Sequence, residues 1–139
     1  MKKTVSFALL ASALILSGCS TSGPVAPQQS VFFVAPANDA TVTSPFKVQF
    51  GVNNLVVKPA LEDIDNANAG HHHLLINLDA LPAGQGVPFT DQHIHFGKGQ
   101  TEAEVKLPPG RYKLTMQFAN GAHVSYGQRL AQTINVTVR

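Results

Sequence analysis

Beyond residue 30, apolar side chains recur at every second position, a period that a helix cannot present and a half-buried strand must. Phe46, Val48, Phe50 and Val52 alternate with Lys47, Gln49 and Gly51. Ala103, Val105 and Leu107 alternate with Glu102, Glu104 and Lys106. Tyr112, Leu114, Met116 and Phe118 alternate with Lys113, Thr115 and Gln117, and Ile134, Val136 and Val138 with Asn135 and Thr137. No segment sustains a helical period. Each run reads as an antiparallel strand with one dry face and one wet face.

Further runs at 31–34 and 74–78, with a short stretch at 93–96, bring the count to about seven, the number of a sandwich. The expected strands are 31–35, 45–53, 72–79, 92–96, 101–107, 111–119 and 122–138, the last broken near Gly127. In Pro108-Pro109-Gly110-Arg111-Tyr112 a tyrosine opens a strand just after a tight turn, as in the tyrosine corner of immunoglobulin-like domains. Asn120-Gly121 is a strong hairpin signal, since both residue types tolerate positive φ. The expected fold is therefore all-β, an immunoglobulin-like antiparallel β-sandwich over residues 31–139.

The first thirty residues have another character. Lys2 and Lys3 precede an apolar run from Val5 to Leu16, of signal-peptide length and too short to span a bilayer. It ends in Leu16-Ser17-Gly18-Cys19, which resembles the lipobox of bacterial lipoproteins. That resemblance implies cleavage after residue 18 and lipidation of Cys19. Because Ser20 rather than an aspartate follows, it also implies anchoring to the outer membrane on its periplasmic side. Residues 1–18 are then a signal peptide. Residues 19–30 are the lipidated cysteine and a Ser-, Pro- and Gln-rich tether.

Cys19 is the single cysteine, which excludes a disulfide, a thiolate metal site and a cysteine nucleophile from the mature domain. The formal charge of +2 rests on Lys2 and Lys3, so the mature chain is close to neutral and lacks the basic surface that nucleic acid requires.

The six histidines carry most of the functional information: His71, His72, His73, His93, His95 and His123. Two-residue periodicity gives His71 and His73 one face and His72 the other, with Leu74 and Ile76; His93 and His95 share a face. If successive strands alternate in direction, the triplet, the His93–His95 pair and His123 all fall at one pole of the sandwich. A two-residue turn at Asn120-Gly121 would pair His123 with Phe118 and place it on the same face. Convergent neutral imidazoles suit copper(II) or zinc(II). The candidate ligands are His71, His73, His93, His95 and His123, with His72 as a further one.

Other candidates carry less chemistry. Glu62, Asp63 and Asp65 precede the triplet in a long loop, but EF-hand spacing fails because Ala67 stands where an oxygen ligand is needed. Glu102 and Glu104 share a strand face and read as solvated. Ser125 lies near His123 without the G-x-S-x-G setting of a nucleophile elbow.

The segments Gly70-His71-His72-His73-Leu74-Leu75-Ile76, His93-Ile94-His95-Phe96-Gly97-Lys98-Gly99-Gln100-Thr101-Glu102 and Leu107-Pro108-Pro109-Gly110 together resemble a bacterial family of small exported domains of unknown function. The resemblance runs from Val31 onward and implies a shared domain and shared histidine positions, but no reaction. Members often carry another histidine soon after the position of His123, where this chain reads Val124-Ser125-Tyr126.

The expectation is a lipid-anchored periplasmic protein that binds copper(II) or zinc(II) without catalysis. The alternative is a cell-envelope interaction module whose histidines are structural or pH-sensing and whose partner is an envelope protein or a glycan. A metal enzyme with an open coordination position ranks third.

Overall fold

The computed structural model describes residues 27–139. The lipobox run and the 1–18 signal lie outside the described residues. The strands are β1 (Ser30–Ala35), β2 (Ala40–Val42), β3 (Phe46–Asn53), β4 (Val56–Val57), β5 (Ala69–Ile76), β6 (His93–His95), β7 (Glu102–Val105), β8 (Gly110–Ala119) and β9 (Ala131–Val138). One sheet has the order β1-β3-β7. The other has the order β2-β9-β8-β5-β4, with β6 also paired to β5. The fold is an all-β sandwich of two sheets.

The smaller sheet follows the alternating pattern. Phe46, Val48 and Phe50 are buried while Lys47 is exposed, and Val105 on β7 is buried while Glu104 is exposed. On the wet face Glu102 accepts from Lys47 Nζ at 3.1 Å and from Gln49 Nε2 at 2.9 Å. From the facing sheet Leu74, Met116, Phe118, Ile134 and Val136 complete the core.

The larger sheet departs from the pattern. All of β5 and the last six residues of β8 are buried, because residues beyond each strand fold back over the outer face. Leu81 N–H donates to Gln117 Oε1 at 3.0 Å, while Gln117 Nε2 reaches the carbonyls of Phe118, Gly127 and Leu130 at 3.1, 3.1 and 3.3 Å. A glutamine that reads as solvent-facing in sequence is thus a buried clamp between the sheet and its cover. Its polar atoms are satisfied, which is what permits its burial.

Three expectations are corrected. Among the described residues nine strands form rather than about seven, and two pairings are parallel, β2 with β9 and β4 with β5. The cause at the first is a change of sheet after Pro36. Asn135 N–H donates to Asn38 Oδ1 at 2.8 Å and Asp39 N–H to Asn135 O at 2.8 Å, which lays β2 alongside β9. Residues 122–138 are not one broken strand. Gly127, at φ 81°, leads into a short 3-10 turn over Gln128–Leu130, and β9 starts only at Ala131.

The third correction concerns the turn after β8. Asn120 Oδ1 accepts the N–H groups of Ala122 and Val124 at 3.0 and 2.9 Å, and Asn120 N–H donates to Val124 O at 3.0 Å. This asparagine-centred loop is longer than a two-residue turn. His123 therefore does not pair with Phe118, whose cross-strand partner is His72.

Tyr112 Oη donates to Pro108 O at 3.0 Å, tying the start of β8 to the turn before it. Tyr112→Phe removes that bond while keeping the ring. A loss of about 1 kcal/mol in urea unfolding is the expected result; a midpoint and slope equal to those of the parent would show that the bond contributes nothing.

Candidate metal centre

β5 carries the triplet into the site. Its alternation sends His72 into the core with Leu74 and Ile76, and sends His71 and His73 outward beneath the cover. Gly70 lets this happen at close quarters, since a Cβ there would collide with the Ala119 carbonyl at the end of β8. His71 lies opposite Ala119, while His73 lies between Gln117 on β8 and His95 on β6.

His123 arrives from the Asn120-centred turn. Its backbone is left-handed, φ 61°, an uncommon conformation for a residue with a Cβ. This turn, rather than strand pairing, aims its ring. His71 Nε2, His73 Nε2 and His95 Nδ1 stand 3.1, 3.2 and 3.3 Å from His123 Nδ1. His71, His73 and His123 offer ligand nitrogens that all lie within 4.8 Å of one another. His95 joins them through His123. A tetrahedral ion with metal–nitrogen bonds of 2.0–2.1 Å holds its ligand nitrogens about 3.3 Å apart.

The protonation pattern suits ligation. Burial, with the neighbouring imidazoles adding to it, lowers the His71 pKa to about 4 and that of His73 to about 2. Both rings are neutral at pH 7, the state in which imidazole binds metal. His95 Nε2 lies 2.8 Å from Pro88 O. A carbonyl can only accept, so Nε2 carries a hydrogen, and in the neutral ring that leaves the Nδ1 lone pair facing His123. Such a backbone carbonyl behind a histidine is the usual device for fixing a ligand's tautomer.

Segment 77–92 roofs the cluster. Val87 N–H donates to His123 O at 2.8 Å, and Gly86 bridges Val124. The Phe89 ring lies flat on His95, with centroids 3.9 Å apart and planes 10° apart, and edge-on to His123 at 5.2 Å.

Two of the six sequence candidates stand apart. His93 faces Leu75 across the ladder, and its Nδ1 is 2.7 Å from Thr90 Oγ1. His72 stacks on Phe50 at 4.9 Å and meets the edge of Phe118 at 5.2 Å, with neither ring nitrogen hydrogen-bonded. The acidic residues Glu62, Asp63 and Asp65 remain exposed in the 58–68 loop. Pro88 and Phe89 escape sequence reading. They lie in a connection without periodicity, and their role depends on how that connection folds back.

A family model described as a domain of unknown function (DUF4399) matches residues 48–139, from β3 to the end of β9, and so includes every histidine. No curated protein and no solved structure matches the chain.

Proposed function

The chain belongs to the DUF4399 family, a domain of unknown function, and on that footing we propose that its sandwich is a non-catalytic metal-binding domain. It takes copper(II) or zinc(II) at His71, His73 and His123, with His95 beside them. Cys19 carries the lipid anchor that holds it at the periplasmic face of the outer membrane.

One observation supports the metal most directly. Three imidazole nitrogens crowd within 3.3 Å of His123 Nδ1, an atom that has either one hydrogen or one lone pair to offer. A hydrogen bond accounts for one such contact; a cation drawing on all the lone pairs accounts for the set.

The direct test is elemental analysis of the full-length protein purified from its own envelope without a nickel column. Copper or zinc near one equivalent is the expected result. Metal-free protein that also fails to take up either ion on titration would leave an envelope interaction module with structural histidines as the reading. The anchor is tested separately by Cys19→Ser, which removes the acylated thiol. The variant should lose lipid label and leave the membrane fraction; unchanged partitioning would refute the anchor.

A further inference from the structure

We infer that the histidine pole is also the membrane-facing pole, and that Val56, Leu61, Ile64 and Phe89 rest on a zwitterionic phospholipid surface there. The inference builds on the lipid anchor proposed above. The chain enters the domain at Gln28 and Gln29, beside the histidines. Asn54 Nδ2 donates to Gln28 O at 2.9 Å, Gln29 Nε2 to Asn68 Oδ1 at 2.6 Å, and Arg129 Nη1 to Gln29 Oε1 at 2.9 Å. Asn68 immediately precedes β5, three residues before His71.

The length of chain outside the described residues sets the orientation. Gln28 lies nine residues after Cys19. Even fully extended, those nine residues span only about 30 Å. The ten residues of β8 alone measure about 33 Å from pole to pole. The Gln28 pole therefore stays within about 30 Å of the bilayer, whereas the opposite pole is free to stand a strand length further out.

The distribution of exposed apolar side chains agrees. The large hydrophobics most open to water among the described residues are Val34, Val56, Leu61, Ile64 and Phe89. All but Val34 lie at the anchored pole. Val56 N–H donates to Asn68 O and Leu61 N–H to Gly121 O, each at 2.8 Å. Ile64 packs against Gly121, two residues before His123, and Phe89 covers His95. Leu61 and Phe89 are 75% and 76% exposed, and it is their gathering at one pole with Val56 and Ile64 that marks a contact surface. A tether concentrates these groups at the lipid surface to an effective millimolar level, so weak insertion is enough to hold them.

Charge chooses the lipid. Glu62, Asp63 and Asp65 sit among the apolar residues, and Lys58 answers only Asp63, at 3.7 Å. Lys98, in the Gly97–Gly99 turn against residues 58–60, and Arg129, on Gln29, bring the formal charges into balance, so the pole gains nothing from anionic headgroups and accepts neutral ones.

The chain contains no tryptophan, so a single introduced indole reports its own surroundings. Full-length, lipidated Leu61→Trp, Ile64→Trp and Val34→Trp proteins would be reconstituted into vesicles of brominated phosphatidylcholine. Strong quenching with a blue shift at 61 and 64, little at 34, and no gain in brominated phosphatidylglycerol is the expected pattern. Equal quenching at all three positions, or the strongest at 34, overturns the orientation. Indoles at 61 and 64 that are shielded from acrylamide in native outer membranes yet unquenched by lipid also overturn it, in favour of a protein surface. The mass of Cys19 is read first. Missing lipid refutes the anchor itself, whereas lipid present without quenching refutes only the orientation.

Discussion

Saturating copper(II) or zinc(II) is expected to raise the melting temperature of chelator-treated protein by about 10 °C at pH 7.5. The native cluster gathers rings from β5, β6 and the turn after β8, and an unfolded chain cannot hold them together. The ion therefore binds the fold in preference to the coil. At a free concentration of about 100 times the dissociation constant the gain is about 2.7 kcal/mol, which for a domain of this size is about 10 °C. His71→Ala, His73→Ala and His123→Ala should each abolish most of the shift, since each removes one nitrogen of the trio within 4.8 Å. His95→Ala should reduce it. His93→Ala and Glu102→Ala should preserve it, because His93 is engaged with Thr90 and Glu102 with Lys47 and Gln49. His123→Asn is the sharpest variant: asparagine tolerates the left-handed backbone, so the fold keeps its metal-free stability while the metal effect goes. Melts that coincide with and without both ions would end the metal reading.

Alternation made the strands legible, because burial on one face of a sheet writes itself directly into the sequence. β3, β6, β7 and β9 fall within the expected runs, β8 begins one residue early and β5 three residues before its expected start at 72, and the outward facing of His71 and His73 follows from parity alone. What escaped was set by contacts that leave no period. The cover over β5 and β8 depends on a glutamine clamp and a few backbone bonds, so Gln117 reads as solvent-facing although it is buried. The turn after β8 is closed by the side chain of Asn120, and hairpin statistics at Asn120-Gly121 say nothing of that bond. The Asn120 side chain, not strand pairing, therefore sets the position of His123. His93 and His95 share a face by parity, yet Thr90 holds one ring and Pro88 the other, a distinction made by a loop.

Acid should begin to destabilise the metal-free protein below about pH 6, above the range in which carboxylates titrate. Burial lowers His71 and His72 to about 4 and His73 to about 2, with neighbouring histidines adding to each, against an ordinary value of 6.5. The folded rings thus refuse protons that the unfolded chain accepts. Their neutral state contributes its full stability above pH 6.5 and loses it as pH falls toward 4. Each ring that protonates only on unfolding costs about 1.4 kcal/mol per pH unit, so three together cost on the order of 4 kcal/mol per unit below pH 6. Against a total stability of about 5–15 kcal/mol, the loss is on the order of 6 kcal/mol by pH 5, and the midpoint should fall between about pH 4 and 5. His72→Leu separates the core ring from the outward pair. Both His72 nitrogens are buried without partners, so leucine should stabilise the fold at neutral pH and reduce the acid slope by about a third. The copper or zinc shift at pH 7.5 should persist, because His72 faces away from the cluster. Urea unfolding from pH 7.5 to 4.5 with a chelator present measures the slope. Stability that stays flat to pH 5 would mean that these rings take up protons in the folded state, and that the cover over His71 and His73 opens to water.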